Sequence, residues 1–106
     1  MDKQFRKVAK TSDIEAGKVI VVQVEDEEIA ICNVDGEFFA LANVCTHDGG
    51  SLDQGELEGD VIECPRHGAQ FDVRSGEVLQ MPAVIPLDTY EVQVQGEDIL
   101  VAVESE

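Results

Sequence analysis

The sequence predicts an all-β fold, on the evidence of β-branched runs, period-two alternation and two tight-turn sequences. Residues 18–24 are dominated by valine and isoleucine, which favour a pleated, half-buried strand. Two apolar runs, 28–34 and 37–42, flank Asp35 and Gly36, a dipeptide that connects antiparallel strands in a tight hairpin. These segments together predict an antiparallel sheet.

A second hairpin is predicted near residue 96. Residues 90–95 alternate between apolar and polar, as in a strand with one buried and one solvent-exposed face. Residues 96–98 then turn the chain into the apolar run 99–103. Only residues 11–17 predict a helical turn, because they open with residues that favour helix N-caps and close on glycine.

The middle of the chain, residues 43–86, has a different composition from its flanks. It holds six of the nine glycines and all three prolines, and its periodicity is short and broken. Such composition predicts a loop-rich region mounted on a β scaffold. With 106 residues, we expect a single domain, 1–106, whose base is formed by residues 1–42 and 87–106.

The charge of the chain is strongly acidic and unevenly distributed. The formal net charge is −16; residues 1–18 carry five basic and three acidic side chains, for a net +2, so the remainder carries −18. Nucleic acid is excluded as a partner because phosphate binding requires lysine and arginine. A basic protein surface is the partner that such a charge favours.

Targeting and membrane signals are not evident in the sequence. No apolar run approaches the roughly 20 residues that a membrane-spanning helix requires. The first ten residues are charged and contain no apolar core of a signal peptide. We therefore expect a cytoplasmic protein with no membrane partner.

The metal-ligating residues are concentrated in two short motifs. Cys45-Thr46-His47 is followed, after sixteen intervening residues, by Cys64-Pro65-Arg66-His67. These motifs hold both histidines of the chain and two of its three cysteines. Zinc would take two Cys and two His as a closed tetrahedral site, and a [2Fe–2S] cluster would take the thiolates on one iron and the imidazoles on the other. Each motif mixes the two ligand types, which favours two chemically distinct irons but leaves zinc open.

The third cysteine, Cys32, is interpreted as structural. It lies at the end of the apolar run Ile29-Ala30-Ile31, where a free cysteine behaves as a small buried hydrophobe. The odd number of cysteines also argues against a disulfide framework.

The two motifs resemble those of Rieske-type domains, whose pattern is Cys-x-His, a spacer of similar length, and Cys-x-x-His. The resemblance covers residues 19–103, and residues 82–87 resemble the proline-containing loop that covers one side of the cluster. It implies a Rieske fold, an antiparallel β-sandwich base with an inserted cluster-binding subdomain (43–86). It also implies one [2Fe–2S] cluster per chain, with Cys45 and Cys64 on the inner iron and His47 and His67 on the outer iron. Further residues similar to those of such domains are Leu52, Gly55, Gly59, Ile62, Gly68, Phe71, Asp72 and Gly76.

Four positions depart from the high-potential Rieske proteins of respiratory chains. Gly50 and Arg66 stand where those proteins carry a disulfide-forming pair of cysteines, so that bridge cannot form. Ala69 and Phe71 stand where they carry a serine and a tyrosine that donate hydrogen bonds to cluster sulfurs. Because such bonds stabilise the added electron, their loss predicts a potential toward the low end of the Rieske range, about −150 to +300 mV.

The resemblance implies an electron carrier and not an enzyme. Both histidines are used by the motif, so none remains for the mononuclear iron site of an oxygenase. The chain resembles the monomeric ferredoxin component of multicomponent, aromatic-ring-hydroxylating dioxygenase systems. Such ferredoxins pass electrons from a flavin-containing NAD(P)H-dependent reductase to a terminal oxygenase.

Three alternatives to this interpretation stay open at the level of sequence. They are a Rieske-like small subunit of a nitrite reductase, a redox-sensing or accessory protein, and a structural Cys2His2 zinc domain. The role of Arg66 is also open, since it is expected either to dock against an acidic partner surface or to pair with a neighbouring acid such as Asp48.

Overall fold

The computed structural model describes residues 3–24, 27–43, 55–63, 69–80 and 87–104. These residues form strands and a single 3-10 helix, Thr11–Asp13. The strands, in chain order, are β1 (Lys3–Lys10), β2 (Val19–Val24), β3 (Glu27–Val34), β4 (Glu37–Ala42), β5 (Glu56–Glu58), β6 (Val61–Glu63), β7 (Gln70–Asp72), β8 (Val78–Gln80), β9 (Thr89–Tyr90), β10 (Val92–Gln95) and β11 (Asp98–Glu104).

Within the described residues, the strands form three antiparallel sheets. The terminal sheet has the order β1-β11-β10, the central sheet β2-β3-β4-β9, and the small sheet β5-β6-β7-β8. The prediction of an all-β, antiparallel fold is therefore confirmed. No helix in the described ranges is long and apolar enough to cross a membrane.

Both predicted hairpins are present, and their turns have the expected backbone geometry, but the predicted strand 90–95 is divided. Val34 pairs with Glu37, and the two residues between them both have positive φ, 51° at Asp35 and 93° at Gly36. That combination is required by a type I′ turn. In the second hairpin Gln95 pairs with Asp98, and Gly96 has a φ of 63°, as the first position of a type II′ turn requires.

The two parts of the predicted strand 90–95 lie in different sheets. Thr89–Tyr90 pairs with β4 in the central sheet, and β10 begins at Val92 in the terminal sheet, where Val94 is 46% exposed and not on a buried face.

Strand β3 separates two hydrophobic cores. All residues from Ile29 to Val34 are buried, and successive side chains point to opposite faces of the sheet. Ile29 and Ile31 join the core formed with the terminal sheet, whereas Cys32 and Val34 join the core formed with the small sheet. The central sheet is thus covered on both faces, and the predicted burial of Cys32 is confirmed.

Strand β1 was not predicted from the sequence. Its four basic residues, Lys3, Arg6, Lys7 and Lys10, give no clean apolar alternation. The strand forms because it pairs with β11 along the edge of the terminal sheet, with a register irregularity between Lys7 and Ala9. An edge strand that carries charge also resists pairing with other chains.

The middle region contains more regular structure than its composition indicates. Strands β5 to β8 have only three residues each, too few for a period-two pattern to be recognised. The predicted helical turn is shorter than expected, a 3-10 helix of three residues. The backbone N–H of Lys10 donates to Asp13 Oδ2 at its start, at 2.9 Å.

Candidate metal centre

The predicted ligands Cys45, His47, Cys64 and His67 lie outside the described residues, as do Gly50, Arg66 and residues 82–86. The described residues that bear on the site are those at which the segments containing these residues join the strands. Three segments are concerned: 44–54 with the first motif, 64–68 with the second, and 81–86 with two of the three prolines.

Strand register brings the ends of these segments to one end of the small sheet. Glu56 pairs with Glu63, Glu63 with Gln70, and Gln70 with Gln80, which forms one row across four strands. Segment 44–54 leads through Gly55 into this row, 64–68 leaves it at Glu63 and returns through Ala69, and 81–86 leaves it at Gln80. Both ligand-bearing segments are thus joined to the same end of the same sheet.

The core behind this end of the sheet is apolar. Ile62, Ala69 and Phe71 are all 0% exposed, and Leu87 is 4% exposed. They pack in one cluster with Cys32 and Leu41 of the central sheet. Ala69 and Phe71 lie two and four residues after the second motif, and neither carries a hydroxyl, so these two buried side chains offer no hydrogen-bond donor.

A backbone connection joins the small sheet to the end of β4. The N–H of Leu87 donates to the carbonyl oxygen of Gly76 at 2.8 Å, and the N–H of Ala42 donates to the carbonyl oxygen of Asp88 at 3.0 Å. The N–H of Asn43 donates to the carbonyl oxygen of Glu28, also at 3.0 Å. These bonds hold the chain immediately before segment 44–54. This connection was not predicted from the sequence, in which Gly76 was named only as a residue similar to those of Rieske-type domains.

Two polar side chains of the row, Gln70 and Glu63, are paired with each other. Gln70 Nε2 donates to Glu63 Oε2 at 3.0 Å across the β6–β7 pair. Glu63 is the residue before Cys64, so this bond lies at the base of the second motif. It is suited to holding the two strands in register where segment 64–68 departs.

Arg74 is engaged within the protein. Its guanidinium lies 3.4 Å from carboxylate oxygens of both Glu37 and Asp60, and its Cζ lies 4.9 Å from the centre of the Phe39 ring. The hydrogen bond to Glu37 is the main reason why the pKa of Arg74 is raised. Arg74 therefore connects the β3–β4 turn to the small sheet. Arg66 lies outside the described residues, and both predicted roles for it stay predictions.

Cys32 lies in an environment that disfavours its thiolate form. Burial raises the pKa of its thiol to about 12, from 9.0. Since the thiolate is the form that binds metals and reacts as a nucleophile, a buried thiol of this kind is a poor ligand. Its environment agrees with a structural role.

The donor set of the two motifs fits an iron–sulfur centre. Thiolates suit iron–sulfur clusters, and imidazoles suit iron and zinc. Two thiolates on one iron and two imidazoles on the other are the ligation that distinguishes a Rieske centre from one with four cysteines. When bound, such a cluster supplies reversible one-electron chemistry.

Comparison with known proteins identifies the family. Residues 4–104 match the Rieske [2Fe-2S] domain. The ferredoxin component of biphenyl 2,3-dioxygenase from Rhodococcus jostii (strain RHA1) is 41% identical over 98 residues, which cover 92% of each chain.

Two solved structures have the same fold at similar length. A complex of reduced oxygenase and oxidized ferredoxin in carbazole 1,9a-dioxygenase contains a chain that is 38% identical, with a TM-score of 0.89, covering 96% of this chain and 95% of that one. The ferredoxin of carbazole 1,9a-dioxygenase from Nocardioides aromaticivorans IC177 is 32% identical, with a TM-score of 0.91, covering 95% and 99%. The chain therefore belongs to the Rieske [2Fe-2S] domain family.

Proposed function

We propose that this protein is a low-potential one-electron carrier that holds one [2Fe–2S] cluster through Cys45, His47, Cys64 and His67. The observation that carries the proposal is the row of paired residues at one end of the small sheet, to which both motif-bearing segments are joined. Segments joined at one end of a sheet are suited to presenting four ligands to a common centre. Family membership supports a Rieske-type cluster as the occupant.

The chain acts as an electron-transfer component and not as an enzyme. Its relatives are named ferredoxin components of dioxygenase systems. Both histidines of this chain lie in the two motifs, where they are the proposed ligands. The terminal oxygenase is the proposed electron acceptor, which is supported by the solved oxygenase–ferredoxin complex of carbazole 1,9a-dioxygenase. A flavin-containing NAD(P)H-dependent reductase is the proposed electron donor, and the carrier works as a monomer in the cytoplasm.

Electron transfer to a partner would proceed through the part of the protein surface nearest the cluster. His47 and His67, on the outer iron, are the proposed exit for the electron. Encounters between redox partners of this kind are small, below about 1,200 Å² of buried surface, and transient. The apolar side chains behind the row, including Phe71 and Leu87, exclude water from the inner side of the centre.

Metal analysis of three proteins tests the ligand assignment. Wild type purified without oxygen is expected to hold iron and acid-labile sulfide in equal amounts and to give a Rieske-type EPR signal after reduction. Cys45→Ser is expected to lose the cluster. Cys32→Ala is the matched control, because it removes the remaining cysteine and is expected to keep the cluster. Zinc without labile sulfide in the wild type would contradict the proposal and support the structural zinc domain.

Reconstitution tests the carrier role. The reductase and oxygenase of the biphenyl 2,3-dioxygenase system are mixed with NADH and the oxygenase substrate, with and without this protein. We expect turnover to depend on the protein and to be lost with Cys45→Ser. A cluster-loaded protein that is reduced by the reductase but supports no turnover would argue for a sensor or accessory role.

Arg66 is tested in the same assay. If it docks against an acidic surface of a partner, Arg66→Glu lowers the rate of electron transfer to that partner, most strongly at low ionic strength. Lys10→Glu, on β1 of the terminal sheet, is the control for the change in net charge. Equal rates for the two variants would assign Arg66 to a structural pair such as the one with Asp48.

A further inference from the structure

Among the described glycines with positive φ, Gly76 is the one at which other atoms lie close to the position that a Cβ would occupy. Its φ is 79°, and a Cβ at this position would overlap the carbonyl oxygen of Leu87 and lie 3.2 Å from Thr89 Cγ2. At the others, Gly17, Gly36, Gly59 and Gly96, nothing lies within 4 Å of such a Cβ. Glycine is therefore required at position 76 for close approach of backbone to backbone as well as for its φ.

The close approach is stabilised by hydrogen bonds on both sides of Gly76. Its N–H donates to the carbonyl oxygen of Asp72 at 2.7 Å, and its carbonyl oxygen accepts from the N–H of Leu87 at 2.8 Å. Leu87 is 4% exposed and packs in the same core cluster as Ala69 and Phe71. The contact therefore seats Leu87 behind the residues that follow the second motif.

The same stretch of chain continues to the end of β4. The carbonyl oxygen of Asp88 accepts from the N–H of Ala42 at 3.0 Å, and Thr89 pairs with Leu41. Segment 44–54, with the first motif, begins two residues after Ala42. Residues 87–89 thus connect the start of the first motif's segment to the small sheet, from which the second motif's segment departs.

We propose that Gly76 is a positioning residue for the metal centre: by admitting the Leu87 backbone, it sets the distance between the attachments of the two ligand-bearing segments. This inference rests on the proposed function, in which both segments bind one cluster. Metal sites tolerate deviations of only about 0.2 Å in ligand distance. A shift of Leu87 away from Gly76 would move one pair of ligands relative to the other.

Two matched variants test this role. Gly76→Ala introduces both backbone strain and the collision with Leu87, whereas Gly59→Ala, in the same small sheet with a φ of 58°, introduces strain alone. The rate at which an iron chelator removes the metal, the midpoint potential and the EPR g-values are measured for both. We expect Gly76→Ala to lose metal about 10- to 100-fold faster than Gly59→Ala, because changes to the groups that orient metal ligands usually weaken metal binding by that factor. We also expect only Gly76→Ala to shift the potential and g-values.

The outcomes separate this inference from the proposed function. If the wild type carries the cluster and the two variants lose metal at the same rate with wild-type g-values, the positioning role is wrong and the carrier proposal stands. If the wild type carries no iron or sulfide, the carrier proposal is the one that fails. If Gly76→Ala does not fold, the exchange rate of the Leu87 amide is measured in the wild type. A protected Leu87 amide supports the hydrogen bond to Gly76 on which the positioning role depends. An amide that exchanges at the rate of an unstructured peptide overturns that bond and the positioning role with it.

Discussion

Replacing Phe71 by tyrosine tests why the potential is expected to be low. Phe71 is fully buried, pairs across the strands with Ile62 and Val78, and follows the second motif by four residues. The high-potential Rieske proteins, from which this chain departs here, carry a tyrosine at the equivalent position. Phe71→Tyr restores a hydroxyl that can donate to a cluster sulfur and stabilise the reduced state.

The expected rise in midpoint potential follows from the burial of Phe71. Because Phe71 is 0% exposed, water does not compete for the new hydroxyl, and a hydrogen bond to a charged acceptor contributes about 1.5–3 kcal/mol. For a one-electron couple, about 59 mV corresponds to a tenfold change in the equilibrium constant, or about 1.4 kcal/mol. The full bond would correspond to about 60–130 mV. Since the oxidised cluster also accepts the bond, we expect a rise near the lower value, about 60 mV.

Redox titration of wild type, Phe71→Tyr and Phe39→Tyr measures the effect. Phe39 is half-buried against the same core but lies on β4 beneath Arg74, so its tyrosine variant adds a hydroxyl away from the second motif. Its midpoint is expected to match the wild type. An unchanged midpoint in folded, iron-loaded Phe71→Tyr would refute the reasoning. A buried hydroxyl that misses a partner would also lower the free energy of unfolding by about 1–3 kcal/mol.

Three further outcomes are expected. Because burial raises the pKa of Cys32 from 9.0 to about 12, the unfolded thiol ionises first, and stability falls as pH rises from 9 toward 12. At about pH 10.5 this ionisation lowers the free energy of unfolding by about 2 kcal/mol. Urea unfolding at pH 8 and at about pH 10.5 should therefore show that Cys32→Ala loses less stability at the higher pH than the wild type does. Equal losses of stability would contradict the burial argument. Gly36→Ala places a side chain at a φ of 93° with nothing within 4 Å, so it should lower the free energy of unfolding by about 1–2 kcal/mol through backbone strain alone; a neutral variant in urea titration would argue against the type I′ turn. Removing the metal should speed amide exchange in β5–β8 more than in β1, β10 and β11, because metal binding contributes folding free energy locally; uniform acceleration across the sheets, measured by mass spectrometry, would count against a site at the small sheet.

The elements that sequence predicted well are those with a local physical cause. The dipeptide Asp35-Gly36 forms its turn because glycine and aspartate accept positive φ, whatever the rest of the chain does. The uninterrupted apolar residues of β3 were recognisable because both faces of that strand are buried. The ligand motifs were recognisable because soft metal donors are scarce and were found close together. Their assignment as ligands stays a prediction, as do the boundaries of the cluster-binding subdomain.

The elements that were missed have a non-local cause. Strand β1 has too many basic residues to resemble a strand, and it forms because β11 supplies hydrogen bonds to it from about ninety residues away along the chain. Strands β5 to β8 are too short to carry a pattern, and they are stabilised by Ile62 and Phe71 packing against the central sheet. Their existence depends on partners that no local window contains.

The sequence by itself determined the chemistry of this protein: which side chains are available to bind a metal, their spacing, and the absence of hydroxyl groups at positions 69 and 71. Only the tertiary structure decided where that chemistry is held. Strand register brings Glu56, Glu63, Gln70 and Gln80 into one row, and the approach of Leu87 to Gly76 ties that sheet to the end of β4. The reason is physical: residue identity sets which bonds a side chain can form, whereas distances between remote segments are set by packing and register.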